Sequence, residues 1–313
     1  MIFIPIDVAV DKFINLHRAV SSKRTVEYYE ENLDMFKEFA CSKGIIDLLD
    51  FSQDNFLEYL QMLRYRDVKN TTVNTYTRAL RVFANWAVNN DYLDKSFCAG
   101  IKNLRDDSEQ IYPLTSKQVG DIDAYFGKLP FDTPKINNMT YLELRNYIIF
   151  HLMLDCGLRR QEVINLDIRD IQVNCICVRN SKYNKSRIVP LPEELHKYIL
   201  TYIDIEDRKK GPLLLTNKGL RITISSIKKL FTNISNNVDV VVHPHLLRHT
   251  FATSYIAGGG NLEFLRILLG HSTYNITQRY LHIAAQCMIS DIGIYKLDKC
   301  FFKNYNNVSA VVR

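Results

Sequence analysis

The sequence contains no CxxC pair, no internal repeat and no low-complexity segment. Its seven cysteines are scattered, and only Cys175 and Cys177 stand close together. Alternate residues of a strand point to opposite faces, so even that pair does not suggest a bridge. The pattern argues against a disulfide framework and predicts reduced thiols in a cytoplasmic protein. No apolar run approaches the about 20 residues that a membrane helix needs. The N-terminal MIFIPIDVAVDKF is interrupted by Asp7 and Asp11, which is too short and too acidic for a signal peptide or a span. His243, His245, His249, His271 and Cys156 invite a zinc reading. No carboxylate or further cysteine stands at matching ligand spacing, so no metal is expected.

What is present is a foldable chain of 313 residues, enough for two ordinary domains. Apolar residues make up 47% and charged residues 24%, which excludes a disordered chain. The net charge of +6 is unevenly spread. Residues 1–110 carry 14 Lys and Arg against 17 Asp and Glu, a balance of −3. Residues 111–313 carry 26 against 17, a balance of +9. A basic second half suits a polyanionic partner, although a solvated basic surface produces the same count.

Hydrophobic spacing predicts helices through the first hundred residues. Val26, Tyr29, Leu33, Phe36 and Phe39 form one helical stripe, with Ser22 as its N-cap. Phe56, Tyr59, Leu60 and Leu63 form a second, and Val73, Tyr76, Leu80, Phe83 and Ala87 a third. Residues 101–112 look like a polar linker. Thr115 opens a new helix through a Thr-Ser-Lys-Gln capping box. Residues 128–139, with two prolines and Asn137-Asn138, look like a loop. The run from Tyr141 predicts a buried helix that stops at Gly157, and RRQEVINL a short one after it. NCICVRN and SRIVPL flank a turn and predict a hairpin. Pro192 and Pro244 sit at the first positions of two further helices, and Gly258 to Gly260 end the second.

Chemistry concentrates near the C-terminus. His245 and Arg248 stand three apart, on one face of a helix. His271 follows, and Tyr280 comes nine residues later. Cleaving a phosphodiester by transesterification needs a nucleophile, cations on the non-bridging oxygens, a base and an acid for the leaving oxygen. A phenol supplies a nucleophile that bonds covalently to phosphorus, with no metal or nucleotide cofactor. Arginine suits the cation role because its fork matches phosphate oxygens and stays protonated. Arg248 offers one fork, and Arg159, at the mouth of a helix behind Gly157, offers another. Lys182 at the hairpin tip reaches toward a leaving oxygen on a flexible stem. Other readings stay open. Tyr280 shares a helical stripe with Ile276 and Ile283, as a core tyrosine would. Arg159 and Glu162 are spaced to form a simple surface ion pair. Lys182 equally fits a solvated turn.

The segments GLRRQEVINL, SKYNKSRIVPL, HPHLLRHTFAT and LLGHSTYNITQRYLHI, in this order and spacing, resemble the boxes of the tyrosine recombinase, or phage integrase, family. The resemblance covers roughly residues 113–290. It implies a mainly α fold with a small antiparallel β-sheet. A helical, SAM-like core-binding domain would occupy residues 1–105, and a catalytic domain residues 113–313, with residues 288–313 as a tail for contact between protomers. It further implies that Tyr280 is the nucleophile, that Arg159 and Arg248 clamp the scissile phosphate, and that Lys182 protonates the leaving 5′-oxygen. His245 would accept the tyrosine proton, His271 would donate to phosphate, and Glu162 would orient its neighbours. Arg160 stands where the family commonly has a small or apolar residue, so either arginine fits the clamp, with box register favouring Arg159. Register likewise favours Lys182 over Lys185.

The activity implied is site-specific recombination through a 3′-phosphotyrosyl intermediate and a Holliday junction. The partners implied are double-stranded DNA with inverted-repeat core sites and three further copies of the chain, in a homotetramer shaped as C-clamps around two duplexes. The brief segment before residue 11 leaves little room for an arm-binding domain, which points to Xer-like or integron-like two-domain members. Competing readings are a type IB topoisomerase-like relaxing enzyme and a non-catalytic DNA-binding accessory protein. In the helical domain the balance of −3 is odd for a DNA clamp. Lys23, Arg24, Lys69, Arg78 and Arg81 are its candidate DNA contacts, though each also fits an ordinary charged helix surface.

Overall fold

A computed structural model describes residues 3–105, 112–127, 141–179, 186–205, 207–271, 273–274, 277–278 and 280–281. The chain divides into two compact units, residues 1–110 and 111–313. The expected linker end at 106–111, the loop at 128–139, the hairpin tip with Lys182 and Lys185, and the tail at 288–313 lie outside the described residues.

Unit one is built from α1 (Ile6–Val20), α2 (Lys23–Ser42), α3 (Gln53–Tyr65) and α4 (Asn70–Asn89). The sequence reading had not anticipated α1. Ile6, Ala9, Val10, Phe13 and Ile14 are its buried residues, which is a helical stripe, and Asp7 and Asp11 fall on its exposed side. Ser22 caps α2 by accepting from the Thr25 amide. Ser52 and Asn55 close a reciprocal capping box at α3. The core is aromatic. Phe83 on α4 meets Phe13 on α1 and Phe36 on α2, with ring centres 5.6 and 5.8 Å away. Residues 101–105 are not a free linker. Asn74 on α4 exchanges two hydrogen bonds with the Leu104 backbone, both 2.9 Å, and Arg81 donates to Ile101 O and Asn103 Oδ1.

Unit two contains α5 (Ser116–Phe126), α6 (Tyr141–Leu154), α7 (Arg160–Asn165), β1 (Cys175–Val178), β2 (Arg187–Pro190), α8 (Glu193–Ile205), α9 (Ile224–Asn237), α10 (Pro244–Ala257) and α11 (Leu262–Leu269). Thr115 and Gln118 form the capping box of α5. The central helix is α6, which buries Leu144 and every residue from Ile148 to Leu154 and packs against α8 and α10. β1 and β2 pair antiparallel, with Cys175 opposite Pro190 and Val178 opposite Arg187. Alternation puts Arg187 on the same face of β2 as the buried Val189. An arginine on the inward face needs polar partners there, and it has them.

The exit of α6 is fixed by an ion cluster. His151 is buried, with Nδ1 2.8 Å from Asp155 Oδ2 and Nε2 3.1 Å from Asp123 Oδ1 on α5. Burial opposes a charge on His151, but the charge of Asp155 and the hydrogen bonds to both carboxylates outweigh it and bring the imidazole to about 9. Two residues past Asp155, Gly157 turns the chain with φ +60°. A Cβ there would stand 2.5 Å from the Phe251 ring on α10, so only glycine fits.

This cluster makes stability pH-dependent with a definite sign. The folded-state value lies above the ordinary 6.5, so the contribution is complete below pH 6.5 and is lost as pH rises through about 9. Urea unfolding across this range should show wild-type stability falling, while His151→Ala starts about 3 kcal/mol less stable and lacks that fall.

Candidate active site

Helix α11 ends at Gly270 in the left-handed conformation, φ 61° and ψ 46°. A helix end leaves carbonyls without intrahelical partners and carries a partial negative charge. Three consecutive carbonyls at this end each take one guanidinium. Leu268 O accepts from Arg187 Nε at 2.6 Å, Leu269 O from Arg248 Nη2 at 2.6 Å, and Gly270 O from Arg159 Nη2 at 3.1 Å. The arginines come from β2, α10 and the N-cap of α7, so one helix end gathers three distant stretches of chain.

A single carboxylate joins two of them. Glu162 Oε1 accepts from Arg159 Nη1 at 2.9 Å and from Arg187 Nη1 at 2.8 Å. Glu162 Oε2 accepts from the Arg159 amide and from Arg187 Nη2, both at 2.8 Å. Burial works against the charged carboxylate, but the hydrogen bonds and charge of Arg187, followed by Arg159, prevail and hold Glu162 at about 2.

Arg248 is 6% exposed and bridges two segments. Its Nη1 donates to Gly157 O and its Nη2 to Leu269 O, both at 2.6 Å. Burial, followed by the charge of Arg159, pulls this guanidinium down to about 9. A guanidinium keeps its proton at neutral pH, so the shift marks the cost of burying this charge beside a second cation. Among the described residues one carboxylate, Glu162, meets the three guanidiniums; it bonds Arg159 and Arg187 and leaves Arg248 to backbone carbonyls and His271. Counted over those residues, the cluster carries more positive than negative charge.

The imidazoles respond to the same field. Burial, followed by Arg248, Arg159, Arg187 and Arg266, drives His271 down to about 4. It is therefore neutral, and its tautomer follows from its neighbours. Arg248 Nη2, which can only donate, lies 3.1 Å from Nε2, so Nε2 accepts. The proton is then on Nδ1, which donates to Thr277 Oγ1 at 2.9 Å. Donation from Nε2 to a phosphate oxygen requires the other tautomer. His245 stands on the exposed side of α10, and burial, then His243, Arg248, Arg160 and Arg159, lower it below 6.5.

Tyr280 is half-buried against the cluster of Phe251, Ala252, Tyr255, Leu265, Leu268 and Leu269. Its ring stacks at 9° to that of His271, 6.3 Å between centres, and lies 5.3 Å from the His249 ring. The expected ion pair of Arg159 with Glu162 is present, and it belongs to the arginine cluster. Thus Arg159, Glu162, Arg248, His271 and Tyr280 converge around the end of α11. Lys182 lies outside the described residues.

In unit one, Lys23, Arg24, Lys69 and Arg78 are exposed. Lys23 stands 3.9 Å from Glu27. Arg81 differs, because both of its terminal nitrogens are engaged by the 101–105 segment.

Comparison with known proteins accords with this geometry. Residues 132–286 match the Phage integrase family, and residues 11–91 the Phage integrase N-terminal SAM-like domain. The chain belongs to the phage integrase family of tyrosine recombinases. Members of this family break and rejoin DNA strands. The chain is 28% identical over 273 residues to the tyrosine recombinase XerC of Staphylococcus haemolyticus, covering 85% of this chain and 88% of that protein. It is 27% identical over 277 residues to a tyrosine recombinase of Pseudothermotoga lettingae, covering 87% and 91%. Among solved structures, the Tn1549 transposon integrase in complex with a circular intermediate DNA matches with a TM-score of 0.70 at 19% identity, covering 92% of this chain and 99% of that one. XerH bound to palindromic difH substrate matches with a TM-score of 0.67 at 19% identity, covering 92% and 84%. These two likenesses establish the fold of this integrase-family chain.

Sequence reasoning had assigned no role to Arg187, Thr277 or Gly270. A weak signal existed for Arg187, since an inward-facing arginine in a short strand calls for a carboxylate. Gly270 carries two constraints, its positive φ and a Cβ position 3.2 Å from Arg187 Nη1.

Glu162 supplies a test of the charge balance. Its folded-state value is depressed, so its contribution is present above the ordinary 4.5 and is lost as pH falls through about 2. Glu162→Gln should be less stable by about 2 kcal/mol at neutral pH. In acid unfolding the gap from wild type should close between pH 4.5 and about 2.

Proposed function

We propose that this chain is a site-specific DNA recombinase in which Tyr280 attacks the scissile phosphorus between Arg159 and Arg248. The observation that carries the reading is the arginine cluster at the end of α11, with more positive than negative charge among its described residues and beside a tyrosine ring. A scissile phosphate is the anion that would complete it, with non-bridging oxygens matched to guanidinium forks. Family membership supports the same chemistry.

In the first step the Tyr280 oxygen bonds to phosphorus and the bond to the 5′-oxygen breaks. The phenol proton passes to His245, whose neutral, accepting form is favoured by burial and then by the neighbouring cations. Lys182 gives a proton to the departing 5′-oxygen. The 3′-phosphotyrosyl bond conserves the energy of the broken linkage, so attack by a 5′-hydroxyl rejoins DNA without a nucleotide cofactor. His271 holds Arg248 through Nε2 and is itself held by Thr277. The partner is double-stranded DNA with inverted-repeat core sites, gripped also by Lys23, Arg24, Lys69 and Arg78 on the helical unit. Arg81 has its guanidinium engaged within its own unit and serves that segment first. Four copies acting on two sites would exchange one strand pair, then the other, through a Holliday junction. XerH, matched in fold, was solved on a palindromic substrate, which supports inverted-repeat core sites.

The test uses nicked suicide duplexes built on inverted repeats that the chain selects from random DNA. Wild type should leave an SDS-resistant protein–DNA band. Tyr280→Phe should bind the duplex and leave none; an adduct at normal yield would move the nucleophile elsewhere. Lys182→Ala should cleave poorly on the ordinary phosphodiester and recover on a 5′-phosphorothiolate, whose sulfur leaves without a proton. Absence of recovery would remove Lys182 from the acid role.

A further inference from the structure

The geometry points to Arg187 as a positioning residue that sets the Arg159 guanidinium for phosphate through Glu162. This inference rests on the recombinase reading. Arg187 is poorly placed to touch substrate itself, since its side chain is only 10% exposed and all three of its nitrogens are engaged. Its fork meets both oxygens of Glu162 at 2.8 Å, and its Nε meets Leu268 O at 2.6 Å.

The consequence lies in what Glu162 then has left. A carboxylate facing one arginine alone pairs with it through both oxygens. Such a closed pair would neutralise Arg159 and take two of its donors. With Arg187 holding both oxygens, Glu162 accepts a single hydrogen bond from the Arg159 side chain, from Nη1, and its other oxygen accepts from the Arg159 amide. Arg159 Nη2 is turned instead to Gly270 O at 3.1 Å, a neutral acceptor longer than the 2.6 Å contacts of its neighbours. Exchanging that carbonyl for a phosphate oxygen costs little, because an ionised acceptor makes the stronger bond. Arg187 thereby keeps Arg159 oriented and only partly neutralised. Because Arg187 stands in β2, opposite Val178, it also ties the arginine clamp to the hairpin strand that leads from Lys182. Gly270 makes this possible, as a Cβ there would stand 3.2 Å from Arg187 Nη1 and 3.4 Å from its Cζ.

The test measures duplex affinity and the single-turnover rate of adduct formation on the suicide duplex. The full chain is compared as wild type, Arg187→Lys, Arg187→Gln, Glu162→Gln and the Arg187→Gln/Glu162→Gln double variant. Arg187→Lys keeps the charge and loses the fork. Both Arg187 variants should bind the duplex as wild type does and form adduct about 100-fold more slowly, as expected for a misplaced catalytic group. The double variant should be no slower than the slower single variant, because both changes interrupt one path. Failure of wild type to form an adduct would overturn the recombinase reading itself. A wild-type adduct with normal rates in the Arg187 variants, or rate losses that multiply in the double variant, would overturn the role of Arg187 alone. Failure of both Arg187 variants to fold would assign the residue to stability and equally overturn it.

Discussion

The end of helix α11 is the feature on which the second unit depends. Three carbonyls in succession, Leu268, Leu269 and Gly270, receive guanidiniums from three parts of the chain. Backbone groups at a helix end lack partners of their own and carry partial negative charge. They can therefore gather cations without neutralising them. A carboxylate in the same positions would gather the arginines and also cancel them. The chain spends one carboxylate, Glu162, on two of the arginines, and a carbonyl at this helix end on each of the three. The result is an organised positive charge with an anion still to come.

That economy links packing to chemistry. Gly157 and Gly270 are needed because the backbone must pass close to Phe251 and to Arg187 with positive φ. Gly157 O then faces Arg248, and the His151 cluster secures the helix exit just before it. Burial, reinforced by the same cations that make the site attractive to phosphate, favours the neutral forms of His271 and His245. A neutral imidazole accepts a proton; a charged one does not. The site thus favours, before any substrate arrives, the neutral imidazole that a proton acceptor at His245 needs.

Much of this was legible in the sequence because it rests on local rules. The stripes of α2, α3 and α4 follow helical spacing, and the capping boxes at Thr115 and the Ser22 cap stand as read. The family boxes carry Arg159, Arg248, His271 and Tyr280 in one order, and those residues meet. Helix α1 is hard to read from sequence because its two aspartates break an apolar run, although in the fold they mark its solvent face. The 101–105 segment reads as linker because its anchors, Asn74 and Arg81, lie 30 and 20 residues up the chain from the groups they hold. Arg187 had no readable role for the same reason. Its partners, Glu162 and Leu268, are remote in sequence, and a strand pattern does not say which carboxylate an inward arginine will find. Tertiary partnership is the part that spacing does not encode.

The most direct test of the charge-deficit account is a structure of the full chain bound to its core-site duplex. The account predicts the scissile phosphate seated between Arg159 and Arg248, each donating to a non-bridging oxygen, with Arg187 still forked onto Glu162 and the Tyr280 oxygen in line with phosphorus. A phosphate bound elsewhere, with Arg159 and Arg248 still closed on the carbonyls of Gly270 and Leu269, would contradict it.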